Sequence, residues 1–168
     1  NDEKGRQCVC DGYRAYRLTE PLPLEDRPAD AGEPINLSSI VPDVTKGGYR
    51  AVPLPDAKAV RALIALERAA KGRKAAPLWE FGPGLPTVNA AYLLELMTVL
   101  PGAAAIYCGT DFAPLYASDS HGDALLLPVK PAADAALAIL SHGQPCLSEY
   151  DVTPDQFAAL ACRLPAVA

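Results

Sequence analysis

The sequence predicts an α+β domain, an antiparallel sheet with packed helices, and four stretches carry that expectation. Between residues 103 and 130, three β-rich runs (103–109, 112–118 and 124–130) are separated by Thr110-Asp111 and by the polar cluster Asp119-Ser120-His121-Gly122-Asp123, the pattern of a meander. Residues 7–18 form a strand pair folded around Asp11-Gly12, the dipeptide best suited to a two-residue hairpin turn. Residues 56–71 and 90–100 show helical spacing, each with a capping residue in front and glycine or proline behind.

Composition bounds what such a domain can be. With 168 residues, 50% of them hydrophobic, the chain can bury one core or two small ones without disulfides or metals. No apolar run approaches the roughly 20 residues of a membrane helix. With no secretory pattern at the start, the expected location is the cytoplasm and no membrane partner is expected. A net charge of −5 argues against general nucleic-acid coating and leaves room only for a local basic stripe. The five cysteines, at 8, 10, 108, 146 and 162, include an odd one and form no CxxC pair. Neither a disulfide framework nor a zinc site is therefore expected.

In order along the chain, the hairpin of residues 7–18 follows a turn at Asp2-Glu3-Lys4-Gly5 with nothing ahead of it to pair with, so residues missing at the N-terminus are expected. Proline and charge dominate residues 19–33, which read as a linker. Residues 35–41 fit a short strand or turn, and residues 44–52 a loop with one β-like piece. Asp56 caps the next helix and Gly72 stops it, with Ala59, Leu63, Leu66 and Ala70 expected on its core face. Lys58, Arg61, Arg68 and Lys71, continued by Arg73 and Lys74, make its other side basic. Residues 76–81 are a strand candidate ended by Gly82-Pro83-Gly84. Asn89 caps a nearly all-apolar helix, which must be buried or packed on another subunit. Beyond the meander, Pro131 and the capping box at Thr153-Pro154-Asp155-Gln156 open two further helices.

No catalytic motif stands out. His121 and His142 sit in expected turns without metal-ligand spacing, so no metal site and no cofactor are expected. The 119–123 cluster reads as a turn, since a catalytic triad converges from separate elements. Cys108 lies in an apolar run and reads as a structural thiol. The run at Leu127-Pro128-Val129-Lys130 is different, because proline cannot donate to a ladder and places this end at an edge or rim.

Four short segments resemble, in the same order, those of the bacterial DNA polymerase III β sliding clamp. Cys10-Asp11-Gly12-Tyr13-Arg14 resembles its T-D-G-H-R segment and Leu127-Pro128-Val129-Lys130 its terminal M-P-V/M-R. Between them, Val41-Pro42-Asp43 through Val52-Pro53 is similar to F-P-D-Y…V-I-P, and residues 88–96 resemble F-N-x-x-Y-L-L-D-x-L. The resemblance implies a DNA-clamp-like architecture for a domain over 35–131, which follows the hairpin and linker of 1–34 and precedes a helical extension over 132–168 that has no counterpart in that family. It implies a non-catalytic module, of mobile-element or phage type. A pocket of Gly12, Tyr13, Arg14, Pro53, Leu127, Pro128, Val129 and Lys130 would accept a linear motif of a replication or repair protein. Lys58, Arg61, Arg68, Lys71, Arg73 and Lys74 would face DNA, and assembly as a homo-oligomer stays open. Two alternatives stand beside it: a small DNA-binding protein using the basic helix, and a hydrolase using Cys108 or His121.

Overall fold

A computed structural model describes residues 5–25, 36–73, 75–110 and 112–129. Strands β1 (Gln7–Cys10) and β2 (Arg14–Leu18) pair antiparallel, with Cys10 opposite Ala15. Their corner sits one residue later than the Asp11-Gly12 dipeptide alone implies. The Asp11 N–H donates to the Arg14 carbonyl, and the Asp11 carboxylate accepts from the N–H groups of Tyr13 and Arg14. Gly12, at φ +88°, takes the left-handed conformation that this turn requires.

Residues 37–40 form a single helical turn, α1 (Leu37–Ile40), where a strand or turn was expected. Leu37 drives it, because it buries against Ala15 and Leu125. Strand β3 (Arg50–Pro53) leads into α2 (Ala57–Lys71), whose caps are as expected. The Asp56 carboxylate accepts from the Lys58 N–H, and the Gly72 N–H donates to the Arg68 carbonyl. The core face is rotated from the expected row: Val60, Ala62, Leu63, Ile64 and Glu67 are buried, while Ala70 is exposed. Burying the larger side chains Val60 and Ile64 removes more apolar area from water than burying alanines.

Strands β4 (Leu78–Glu80) and β5 (Thr87–Asn89) pair around the Gly82-Pro83-Gly84 turn, and α3 (Ala90–Val99) starts at once. Asn89 closes β5 and also caps α3, its side chain accepting from the Ala91 N–H. Strands β6 (Ala105–Cys108), β7 (Leu115–Asp119) and β8 (Gly122–Leu126) are the expected meander. At Gly122 any Cβ would collide with the Arg17 carbonyl of β2, so only glycine allows that approach.

The main sheet runs β1-β2-β8-β7-β6-β3, all pairs antiparallel. The division expected at residue 34 therefore does not separate two cores, because β2 is bonded directly to β8. Alternation along the strands sends Tyr16, Leu18, Leu115, Ala117, Ala124 and Leu126 to the main core with α2, α3 and Trp79. Ala15 and Leu125 face the other way, under Leu37. On that second face Arg17 donates to both oxygens of Asp123 at 2.7 and 2.6 Å, a buried bidentate pair across β2 and β8. The helices expected after Pro131 and Thr153 lie outside the described residues.

Candidate protein-interaction site

The β1–β2 corner is fixed by one carboxylate. Besides the two backbone N–H groups, Asp11 accepts from Arg14 Nε at 3.0 Å. Burial pushes the Asp11 carboxyl up, but these hydrogen bonds and the Arg14 charge outweigh it and hold its pKa below the ordinary value. Arg14 reaches on to α3, where it pairs with Glu95 and lies 4.3 Å above the Tyr92 ring. The Tyr13 ring stands 6.1 Å from Tyr92 and is 62% exposed. Tyr92 and Glu95 are one helical turn apart, the spacing that puts both on one face.

The tail of β8 joins this corner. The Leu127 N–H donates to the Tyr13 carbonyl at 2.9 Å, and the Val129 N–H donates to the Thr87 carbonyl of β5 at 2.7 Å. The chain thus leaves the sheet between these two bonds, and Pro128 sits where no ladder donor is needed. On the α1 side of this junction a cavity of about 110 Å³ is lined by Cys10, Gly12, Ala15, Leu37, Leu125 and Leu127, with Ile40 at its rim. It is well below the roughly 300–1,000 Å³ of small-molecule sites, a size that suits one aliphatic anchor. Leu127 and Ile40 remain 42% and 46% exposed beside it.

The structure thus brings Gly12, Tyr13, Arg14 and Leu127 together, while Pro128 and Val129 run past without lining the cavity. Pro53 is not part of it. Its strand is three places along the sheet from β8, roughly 14 Å at the usual strand spacing, and it lines a separate groove with Trp79 and Phe81. Nothing in the sequence specifies that strand order. Lys130 and Lys74 lie outside the described residues. Leu37, Ile40 and Cys10 were not expected at the site; the one apolar pair three apart, Leu37 and Ile40, is too little signal to specify a helical turn there.

The basic side of α2 is present. Lys58, Arg68, Lys71 and Arg73 are exposed and Arg61 is half-buried. Lys71 is drawn to the buried Glu67 at 3.2 Å, and α3 carries no basic residue. The two hydrolase candidates are far apart. Cys108 lies beside the start of β7 and His121 just past its end, roughly 17–20 Å along the strand. Burial pushes the Cys108 thiol up to about 12, and His121 contacts Asp119 in an exposed turn. Among the described residues no group of three or more His, Cys, Asp or Glu could hold a metal ion, and no helix is long and apolar enough to cross a membrane. No protein-family model, curated protein or solved structure matches this chain.

Proposed function

We propose that the chain is a non-catalytic, clamp-like interaction module that captures a linear motif of a replication or repair protein where β2 meets β8. The observation that carries this reading is the Leu127–Tyr13 backbone bond. It joins two segments more than a hundred residues apart beside a small apolar cavity rimmed by exposed Leu127 and Ile40, while the exposed Tyr13 ring stands on the α3 side of the same junction, against Tyr92. An aliphatic residue of the motif enters the cavity, and an aromatic or apolar neighbour packs on Tyr13. Arg14 is held by Asp11, Glu95 and Tyr92, so the corner is shaped before the motif arrives and little ordering cost falls on binding. The reading rests on a protein partner in preference to DNA, since α3 carries no basic residue, Lys71 on the basic side of α2 is drawn to Glu67, and the net charge is −5.

Calorimetric titration with a sliding-clamp-binding peptide tests it. The expected result is saturable binding, weakened by about thirtyfold in Leu127→Asp, the loss of an anchor contact worth about 2 kcal/mol. The fold of that variant should survive, because Leu127 is already partly in water. Absence of binding, or equal binding by the variant, contradicts the reading.

A further inference from the structure

The opposite end of the sheet carries a second surface. Strand β3 has β6 on one side and no described strand on the other. The Leu54 N–H donates to the Ala104 carbonyl, which makes Leu54 and Ala104 a hydrogen-bonded pair and sets the alternation along the register Arg50↔Cys108 to Pro53↔Ala105. Val52 therefore bonds to Ile106, while the N–H and C=O of Ala51 and the C=O of Pro53 point away from β6. Pro53 is tolerated here because its missing N–H belongs to the open side.

Beside this edge lies a groove of about 400 Å³, bounded by Val52 and Pro53 on one wall and by Trp79, Phe81 and Pro83 on the other. Trp79 is buried, and its Nε1–H finds no acceptor among the described residues. Among the described residues, Arg50 is the only charged one lining the groove.

We propose that this edge and groove bind an extended peptide strand carrying an apolar residue followed, two positions later, by an acidic one. The backbone of such a strand answers the outward groups of Ala51 and Pro53 by edge addition. In an antiparallel pairing, the residues opposite Val52 and Arg50 are two apart and share one face, the apolar one coming first in the peptide. The apolar side chain enters the groove beside Trp79, and the carboxylate meets Arg50. A second copy of this chain is a poorer occupant: two-fold pairing through Ala51 sets two Arg50 guanidiniums on diagonal positions of one face, a like-charge arrangement. The site is independent of the one at Leu127.

The test is an NMR titration of the full chain with acetylated, amidated Thr-Leu-Thr-Glu-Thr and with its order-reversed control, Thr-Glu-Thr-Leu-Thr. The proposal expects saturable shifts of the Ala51 amide and the Trp79 indole N–H with the first peptide. The reversed peptide and the Arg50→Glu variant should each bind roughly two- to fivefold more weakly, the size of an exposed ion pair. Replacing the peptide's glutamate by lysine should restore binding to Arg50→Glu, and Leu127→Asp should leave all of this unchanged. Equal binding of both peptides, no shift at Ala51, or an Ala51 shift that follows protein concentration without peptide overturns it, the last in favour of a second copy.

Discussion

The two edges of the six-stranded sheet are handled in opposite ways. At β1 the start of the outer strand is tied to the segment after β2: the Gln7 side chain donates to the Leu22 carbonyl and accepts from the Leu22 N–H. One strand further in, Arg17 and Asp123 lock β2 to β8 through a buried bidentate pair, with Arg6 3.7 Å from the same carboxylate. At β3 no described strand or segment pairs with the open side of Arg50–Pro53, a strand with an exposed arginine at its start and a proline at its end. An uncovered edge is a pairing template, and proteins usually blunt it with charge, proline or a covering segment. Here the first edge has a side-chain tie at Gln7, and the second a proline beside a groove. The difference marks the β1–β2–β8 end as the structural anchor of the sheet, and it is the β3 end, open among the described residues, for which a partner strand is proposed.

That contrast can be broken by mutation, and the effects should scale with burial. Asp123→Ala leaves the buried Arg17 guanidinium without its bidentate carboxylate, and chemical denaturation should register a loss of about 3–5 kcal/mol. If the loss is under about 1 kcal/mol, the pair is not an anchor. A smaller effect is expected at the β7–β8 turn. There the Asp119 carboxylate accepts from the N–H groups of Gly102 and His121 and from the His121 ring. Burial pushes the Asp119 carboxyl up, yet these bonds outweigh it and set its pKa below the ordinary value. Its contribution is therefore full at neutral pH, where the group is ionised in both states, and is lost as pH falls from the ordinary carboxylate pKa through the lowered folded one. Asp119→Asn should cost roughly 1–2 kcal/mol at pH 7 and flatten the acid limb of the stability profile. An unchanged acid limb would show that these bonds do not favour the ionised form. The smallest change belongs to Arg50→Ala, within about 0.5 kcal/mol, because that side chain is exposed at the open edge.

Much of this was legible in the sequence where the signal is local. The Asp56 and Asn89 caps, the stop at Gly72, the meander and the hairpin near Gly12 depend on residues a few positions apart, and the structure has them. The junction of Tyr13 with Leu127 was reachable because two motif-like ends pointed at one another. What failed depended on distant partners. Leu37–Ile40 is too short to show helical periodicity, and it forms because Leu37 finds Ala15 and Leu125 on the sheet's second face. Strand β5 has only three residues and shares Asn89 with the helix cap, so the cap signal hid the strand. Pro53 was assigned to the wrong site because adjacency in a sheet follows strand order, which neither proline content nor spacing encodes. The groove at Trp79 needed the same long-range knowledge, since β3 and β4 are separated in sequence by the whole of α2.

The claim that the β2–β8 junction is a peptide-binding site is most directly tested through Cys10, which is exposed and lines the cavity, with Cys108 as an internal control. Burial pushes the Cys108 thiol up to about 12, so it stays protonated and unreactive at pH 8 in the folded protein. The measurement is the rate of Cys10 alkylation by iodoacetamide at pH 8, read by peptide mass mapping with and without a saturating sliding-clamp-binding peptide. The account predicts that Cys10 is modified in the free protein, that the bound peptide slows it by tenfold or more, and that Cys108 remains unmodified throughout. A Cys10 rate unchanged by the peptide would contradict it.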